Sequence, residues 1–324
     1  MRVAVVGCGA IGGWLAGRLA GAGVEVSVLA RGATLRALRQ RGLRLQEGGV
    51  ERCVQLPASD RPEALGLHDF VILAVKGQAA AQAVPLAAAL RAPQGKVWTA
   101  MNGVPWWFAD GLPSLQGQAL RSLDPEGRLQ AQLGADQVLG GVVHASCQNP
   151  EPALVRHVMG QGLLVGDPNA AGSSGEAGLI GLLLQAGFEA KASANIRQDL
   201  WYKLWGNATT NPISALTGAT TDRILDDPQV LALTDAAMHE LAAVGAAIGC
   251  PVPHTPDERH AITRRLGAFK TSMLQDREAG RRLEIDALLA APREIAQRVG
   301  VATPMLDALH GLARLLDGSL AAAA

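Results

Sequence analysis

The sequence is short of charge, of tyrosine and of paired cysteines. Only 18% of its 324 residues are Asp, Glu, Lys or Arg, and basic and acidic residues balance at 29 each. With no basic excess and no basic run there is no electrostatic footprint for nucleic acid or an anionic membrane, so neither is expected as a partner. Cys8, Cys53, Cys147 and Cys250 lie far apart without C-x-x-C pairing. That spacing argues against a disulfide framework and against a zinc site. No metal is expected, and reduced thiols in a cytoplasmic protein are. No stretch reaches the roughly 18 near-continuous apolar residues of a membrane span. Arg2 and the small-residue stretch to Gly23 have the outline of a signal peptide, but five glycines from Gly7 to Gly17 and Arg18 make a poor apolar segment.

What the chain does have is apolar bulk, 48% of residues, and a length that suits two domains better than one core. Its first 31 residues carry the strongest pattern. Val3 to Val6 reads as a strand, Gly7-Cys8-Gly9-Ala10-Ile11-Gly12 follows at once, a helix runs from about Gly13 to Ala22, and a second strand spans Val24 to Leu29. G-x-G-x-x-G alone is weak, but between a strand and a helix it has a mechanism. The first glycine allows the tight turn, the second admits a pyrophosphate, and the third lets helix and strand approach, with the phosphate on the helix's open N–H groups.

A site for NAD carries Asp or Glu roughly 20 residues on, at the end of the second strand. Ala30-Arg31 stands there instead. A carboxylate would repel a ribose 2′-phosphate, whereas a guanidinium can hold it with paired bonds, so Arg31 argues for NADPH over NADH. Its alternative is a solvated surface arginine. Further strands are expected over Leu43–Leu45, Cys53–Leu56, Asp69–Val75 and Lys96–Met101, with a helix over Gln78–Arg91. In open α/β sheets ligands bind beyond the carboxyl ends of the strands. Arg31, Lys76 and Asn102 each follow such an end and together outline a cofactor crevice.

Residues 104–137 read as loop, with Trp106-Trp107-Phe108 inside it. Val138–Cys147, Ala153–Met159 and Leu163–Val165 read as an antiparallel meander turning at Asn149-Pro150 and at Gly160-Gln161-Gly162. Asp167–Gly175 reads as a loop, and a helix (Glu176–Ala186) and strand (Phe188–Ala192) close a first domain, residues 1–193. A second domain, 194–324, is helical throughout: about 195–217, 228–248, 256–279, 283–299 and 303–317, with a frayed tail from Gly318.

The segment Leu200–Thr221 holds a single charged residue, Lys203. Lys203, Asn207 and Asn211 recur at i, i+4 and i+8 and so share one helix face. Trp201, Tyr202 and Trp205 surround the lysine with apolar bulk. A lysine near low-dielectric walls has its pKa lowered, which suits a proton donor working near neutral pH. The bland alternative is a lysine that snorkels to water. Pro212 is expected to distort the helix beside Asn211.

Taken together these stretches resemble the ketopantoate reductase family (2-dehydropantoate 2-reductases). The matching residues are Gly7 to Gly12 with Arg31, Val75-Lys76, Asn102-Gly103-Val104, Trp201 to Leu204 with Asn207 and Asn211-Pro212, Thr271 to Asp276, and Glu284-Ile285-Asp286. The resemblance implies an α/β Rossmann-like dinucleotide-binding domain followed by an all-helical C-terminal domain, an active site in the cleft between them, and NADPH-dependent reduction of a 2-oxo acid. It implies Lys203 as proton donor, and Asn102, Asn207, Asn211 and Ser272 as substrate-binding residues. Lys76, Glu284 and the backbone near Ser146 would contact cofactor or order the site.

The departures from the family pattern touch the pocket edge rather than the chemistry. Pro105-Trp106-Trp107-Phe108 and an insertion to about Leu133 stand where the family has a short helix. Thr221 stands where the family often has asparagine, and Leu289-Ala290 replaces Asn-Gly. Trp106 and Trp107, adjacent in a loop, are not expected to share one small core, so one is expected to face the cleft or a partner. Two other functions stay open on sequence: an opine- or hydroxyacid-dehydrogenase-like enzyme, and an NADPH sensor without catalysis. A homodimer is compatible with an apolar helical face in the second domain.

Overall fold

In the computed structural model the chain is described over residues 1–169 and 172–323. It divides into two compact units. One comprises residues 1–101 and 128–196, the other 102–127 and 197–324. Against a single boundary at 193/194, the difference is the 102–127 segment, which associates with the helical unit.

The first unit alternates strands and helices: β1 (Arg2–Val6), α1 (Ala10–Gly21), β2 (Glu25–Leu29), α2 (Gly32–Arg41), β3 (Leu43–Glu47), β4 (Val50–Val54), β5 (Ala58–Ser59), β6 (His68–Leu73), α3 (Ala80–Leu90) and β7 (Arg91–Thr99). There follow α4 (Arg128–Gln132), β8 (Val138–Glu151), β9 (Leu154–Gly166), α5 (Ser174–Gln185) and β10 (Glu189–Ala192). The sheet runs β4-β3-β9-β8-β7-β6-β1-β2-β5, and β10 pairs with β9. From β8 to β5 every neighbour is parallel. The central strands β1 and β6 are almost wholly buried apolar runs, as expected where helices cover both faces. Val6 pairs with Leu29 and Leu73, and Leu73 with Thr99, so four strands end level at one carboxyl edge.

The expected three-stranded meander is two long strands. Gly160-Gln161-Gly162 is not a turn but lies inside β9, where Gly160 has φ 77° and the pairing with β8 shifts register around Ser146. A bulge glycine and a turn glycine meet the same backbone requirement. The reversal occurs instead at Pro152-Ala153, with Ala153 at φ 60°. Of the expected 167–175 loop, residues 170 and 171 lie outside the described residues.

The second unit holds α6 (Ile196–Thr217), α7 (Thr221–Asp226), α8 (Pro228–Ala247), α9 (Pro256–Arg264), α10 (Ser272–Glu278), α11 (Ala291–Arg298) and α12 (Pro304–Ala323). The expected 256–279 helix is two, interrupted at Gly267 (φ 62°). The expected 283–299 helix opens with a π turn, Asp286–Ala290, before α11. Pro292 has no N–H for an ordinary i−4 bond, and a wider turn ahead of it absorbs the loss. The helix α6 continues through Pro212. The tail expected to fray from Gly318 is helical to Ala323, because Asp317 anchors the last turns by accepting from Arg282 Nε (2.6 Å) and Leu283 N (2.7 Å). The final alanine of that tail lies outside the described residues.

One helix, α8, is long and apolar enough to cross a membrane by length and composition alone, although Gln229, Asp235, His239 and Glu240 interrupt its apolar run. It packs against α7, α9, α11 and α12, with about 33% of its length buried. Its Glu240 carboxylate caps α12 by accepting from Met305 N and Leu306 N.

Candidate active site

The phosphate-binding turn of the first unit is built by glycine geometry. Gly7 has φ 93°, and a Cβ there would meet Val75 Cγ1 at 2.6 Å and the Ala74 carbonyl at 2.9 Å. At Gly12 a Cβ would come within 1.9 Å of the Gly7 carbonyl oxygen, so only glycine lets α1 start this close to β1. Gly9 differs: nothing lies within 4 Å of where its Cβ would be. No side chain caps α1 and its first turn holds no acid, so the N–H groups of Ala10, Ile11 and Gly12 face that space without a side-chain acceptor. An open cradle over Gly9 at an uncapped helix N-terminus fits a pyrophosphate. Cys8 contributes only backbone here. Its thiol is buried, and burial pushes its pKa up to about 12.

Arg31 is exposed, two residues beyond β2, at the N-cap of α2. Its Nη1 donates to Gln82 Oε1 (3.0 Å), and no carboxylate occupies the first turn of α2. A guanidinium beside an acid-free helix N-terminus fits a 2′-phosphate and not a bare ribose pair of hydroxyls. Lys76, partly buried three residues beyond β6, caps a 3₁₀ turn over Gly77–Ala79. Ser146 sits on β8 six residues past Gly140, the last partner of β7, and therefore beyond the carboxyl edge of the sheet.

The second unit gathers the polar chemistry. On α6, Trp201 Nε1 donates to Leu241 O (3.0 Å) and Trp205 Nε1 to Met238 O (2.7 Å). These two buried indoles, one turn apart, fasten α6 antiparallel to α8. The stripe of Lys203, Asn207 and Asn211 is thereby turned to the other side. Lys203 Nζ donates to Asn102 Oδ1 (2.8 Å). Desolvation lowers the lysine's pKa from 10.5 to about 8; the Glu284 carboxylate pulls it back up and the Arg259 guanidinium pushes it further down. Asn207 and Asn211 line a cavity of about 70 Å³ with Gly206, Thr210, Arg259 and Thr271. Glu284 is buried two residues before the π turn.

Asn102 reaches Lys203 because its loop is held from below. Val104 N donates to Ala287 O of the π turn (2.9 Å), and Gly103 (φ 79°) lies so close that a Cβ would meet that carbonyl at 2.6 Å. The rest of the 102–127 segment is fastened to helices of the same unit. Glu294 accepts from Arg121 N, Ser122 N and Ser122 Oγ, and Arg298 donates to Gln118 O and Ala119 O.

Comparison with known proteins agrees with this geometry. Residues 3–170 match the family profile described as ketopantoate reductase PanE/ApbA, and residues 195–317 match its C-terminal counterpart. The 2-dehydropantoate 2-reductase of Mesorhizobium japonicum is 40% identical, with 98% of each chain covered. The chain belongs to the ketopantoate reductase family. A provisionally assigned ketopantoate reductase from Ralstonia solanacearum MolK2 superposes with a TM-score of 0.94 at 49% identity, over 98% of both chains. A PanE/ApbA family ketopantoate reductase from Ralstonia eutropha JMP134 gives 0.84 at 27%, over 99% of both. The chain is thus an oxidoreductase with a Rossmann-like first domain and a helical second one, and its family works with NADPH.

Ser272 is exposed at the first position of α10, and its neighbour Thr271, the N-cap that accepts from Leu274 N, lines the cavity with Asn207 and Asn211. One expectation changes within the site. Trp106 and Trp107 are both buried, at 2% and 0% exposure, so neither presents an aromatic wall. The 102–127 segment is not a surface loop over a small core. Phe108 packs tilted against Trp201 with ring centroids 6.0 Å apart, the Arg197 guanidinium lies 5.8 Å from the Trp107 ring, and Arg197 donates to Phe108 O and Asp110 O. Arg259 was not a candidate from sequence. The sequence offers only a basic residue directly after the ordinary helix start Thr255-Pro256-Asp257-Glu258.

Proposed function

We propose that the protein reduces a 2-oxo acid to the 2-hydroxy acid with NADPH, 2-dehydropantoate to pantoate foremost. The observation that carries this is Lys203, an ammonium with a pKa near 8, oriented by the Asn102 amide on a helix face that also bears Asn207 and Asn211. Bound NADPH supplies the hydride to the carbonyl carbon. As that carbon is reduced, negative charge develops on the carbonyl oxygen. Lys203 Nζ holds the proton this oxygen takes up, and amide donors beside it stabilise the charge before transfer. Asn102 keeps the ammonium pointed by accepting one of its three N–H bonds. Glu284 keeps it protonated close to neutral pH against the cost of burial.

In this reading the residues 1–193 domain binds the cofactor and the 194–324 domain, with the 102–127 segment, the substrate. Gly7, Cys8, Gly9, Ala10, Ile11 and Gly12 hold the pyrophosphate, and Arg31 the 2′-phosphate. Lys76, Ser146 and Glu284 order the cofactor, while Asn102, Asn207, Asn211 and Ser272 bind substrate. The protein acts in the cytoplasm on a small molecule, as a monomer or a homodimer. The test is NADPH oxidation by the purified protein across a panel of 2-oxo acids that includes 2-dehydropantoate. Turnover of none of them overturns the reading.

A further inference from the structure

Arg259 is the one cavity-lining cation whose partner is missing. Its Nε is shut off from solvent and has no hydrogen-bond partner, and no ion pair to it exists among the described residues. The neighbouring carboxylates are engaged elsewhere. Glu258 closes the capping box at the start of α9 with Thr255, and Asp235 meets His260 Nε2 at 2.6 Å. The guanidinium carbon stands 5.4 Å from the centroid of the Tyr202 ring, a contact that holds the charge in place without using its N–H groups. Gly206 admits it: a Cβ there would lie 2.7 Å from Nη2 and 2.8 Å from Nε.

A buried, unsatisfied charged donor is costly, and in a native structure it marks a place where strain, water or a ligand must account for it. The planar fork of a guanidinium matches a carboxylate with two parallel N–H bonds. Gly206 follows Lys203 by three residues, so the guanidinium meets α6 about 4.5 Å along its axis from the level of the Lys203 backbone. In a 2-oxo acid the carboxylate carbon is bonded directly to the carbonyl carbon, so an acid bound along this helix face would present the two groups to neighbouring positions of α6. The Arg259 charge is already felt at Lys203, whose ammonium it disfavours.

We propose that Arg259 anchors the substrate carboxylate and makes this pocket select a 2-oxo acid over a neutral ketone. This rests on the 2-oxo acid reductase reading above and deepens it. A purely structural role, propping Tyr202 against α6, would lower thermal stability without changing the preference between charged and neutral substrates.

The test uses the NADPH-loaded protein and two variants, Arg259→Gln and Arg259→Lys. Binding of oxamate, a carboxylate that resembles a 2-oxo acid and is not reduced, is measured by calorimetry. Turnover of a 2-oxo acid is compared with that of its methyl ester. Arg259→Gln is expected to weaken oxamate at least about 10-fold and to lower the acid-over-ester preference in kcat/KM by a similar factor, mainly through KM. Arg259→Lys, which keeps charge but loses the fork, recovers part of both. Unchanged oxamate affinity and an unchanged acid-to-ester ratio in Arg259→Gln overturn the proposal, whatever happens to its melting temperature. Should Arg259→Gln not fold, Arg259→Lys decides: a loss of about 3-fold or more in oxamate affinity supports the anchor, and parental affinity overturns it. If the parent turns over no 2-oxo acid, the functional reading fails on its own. Oxamate binding that depends on Arg259 then still supports the anchor, and absent or Arg259-independent binding overturns it.

Discussion

Lys203 Nζ and Asn102 Oδ1 meet at 2.8 Å although 101 residues separate them. The amide oxygen does two things for the ammonium. It satisfies one N–H in a place where water is scarce, and it fixes the direction of the remaining two. The amide itself is fixed by the Val104 bond to Ala287 in the π turn that follows Glu284. The proton donor, its orienting amide and the carboxylate that sustains its charge therefore belong to one mechanical chain, and replacing any link should alter the chemistry more than the fold.

Removing the donor is the direct test. Lys203→Ala is expected to lower kcat by about 10²- to 10⁴-fold, the usual loss with a general acid. NADPH affinity, measured by fluorescence titration, should stay within about 2-fold of the parent, since the phosphate-binding turn lies in the other unit. Near-parental kcat would remove Lys203 from the proton-transfer role.

The pH dependence has a definite sign. Reduction needs the protonated lysine, so kcat should be flat at low pH and fall as pH rises through about 8, not through 10.5. The charges that act on Lys203 are Glu284, which raises its pKa, and Arg259, which lowers it. Glu284→Gln should move the descending limb to lower pH and Arg259→Gln to higher pH. A limb that stays put in both variants would mean that another group titrates there.

Cofactor choice is expected to follow Arg31. Arg31→Asp takes away a charged donor and sets a carboxylate where a ribose hydroxyl could bind, and NADPH affinity should drop about 10-fold or more. NADH binding should hold or improve. Steady-state KM values for the two cofactors, measured side by side, check this, and an unchanged ratio would assign the 2′-phosphate to other residues.

The tryptophans of the 102–127 segment bear on stability rather than specificity. Trp107 is fully buried against Arg197, so Trp107→Ala should cost about 3–5 kcal/mol and lower the melting temperature sharply. The ratio of KM between large and small 2-oxo acids should not move beyond what lowered stability explains. A selective change in that ratio would restore an aromatic wall to the pocket.

How legible these features were depended on whether their cause was local. The turn at Gly7–Gly12 was readable because a tight strand-to-helix crossing admits only glycine at set spacings, and Lys203, Asn207 and Asn211 because the helix period puts them in line. Arg259 was not readable: it reaches Gly206 of α6 from 53 residues away, and its meaning lies in the partner it lacks. The 102–127 segment looked like loop because its structure comes from Glu294 and Arg298, some 170–180 residues on. Gly160 is ambiguous in sequence for a different reason, since a positive φ serves a bulge as well as a turn.

Gly9 and Gly12 offer the sharpest separation between binding and folding. The backbone at Gly9 has φ −83° and ψ −156°, which alanine adopts readily, and a Cβ there touches nothing within 4 Å. Gly9→Ala should therefore fold with an unchanged or slightly raised melting temperature, the gain being up to about 1 kcal/mol from a less mobile unfolded chain. The methyl group would project into the space over the N-terminus of α1, and NADPH affinity should fall about 10-fold or more if a pyrophosphate occupies it. Gly12→Ala has no such freedom, with its Cβ 1.9 Å from the Gly7 carbonyl oxygen, and should lose stability together with binding. Thermal denaturation and NADPH titration of the two variants would decide. A Gly9→Ala protein that is stable and binds NADPH as tightly as the parent would show that the cradle is not where the pyrophosphate sits.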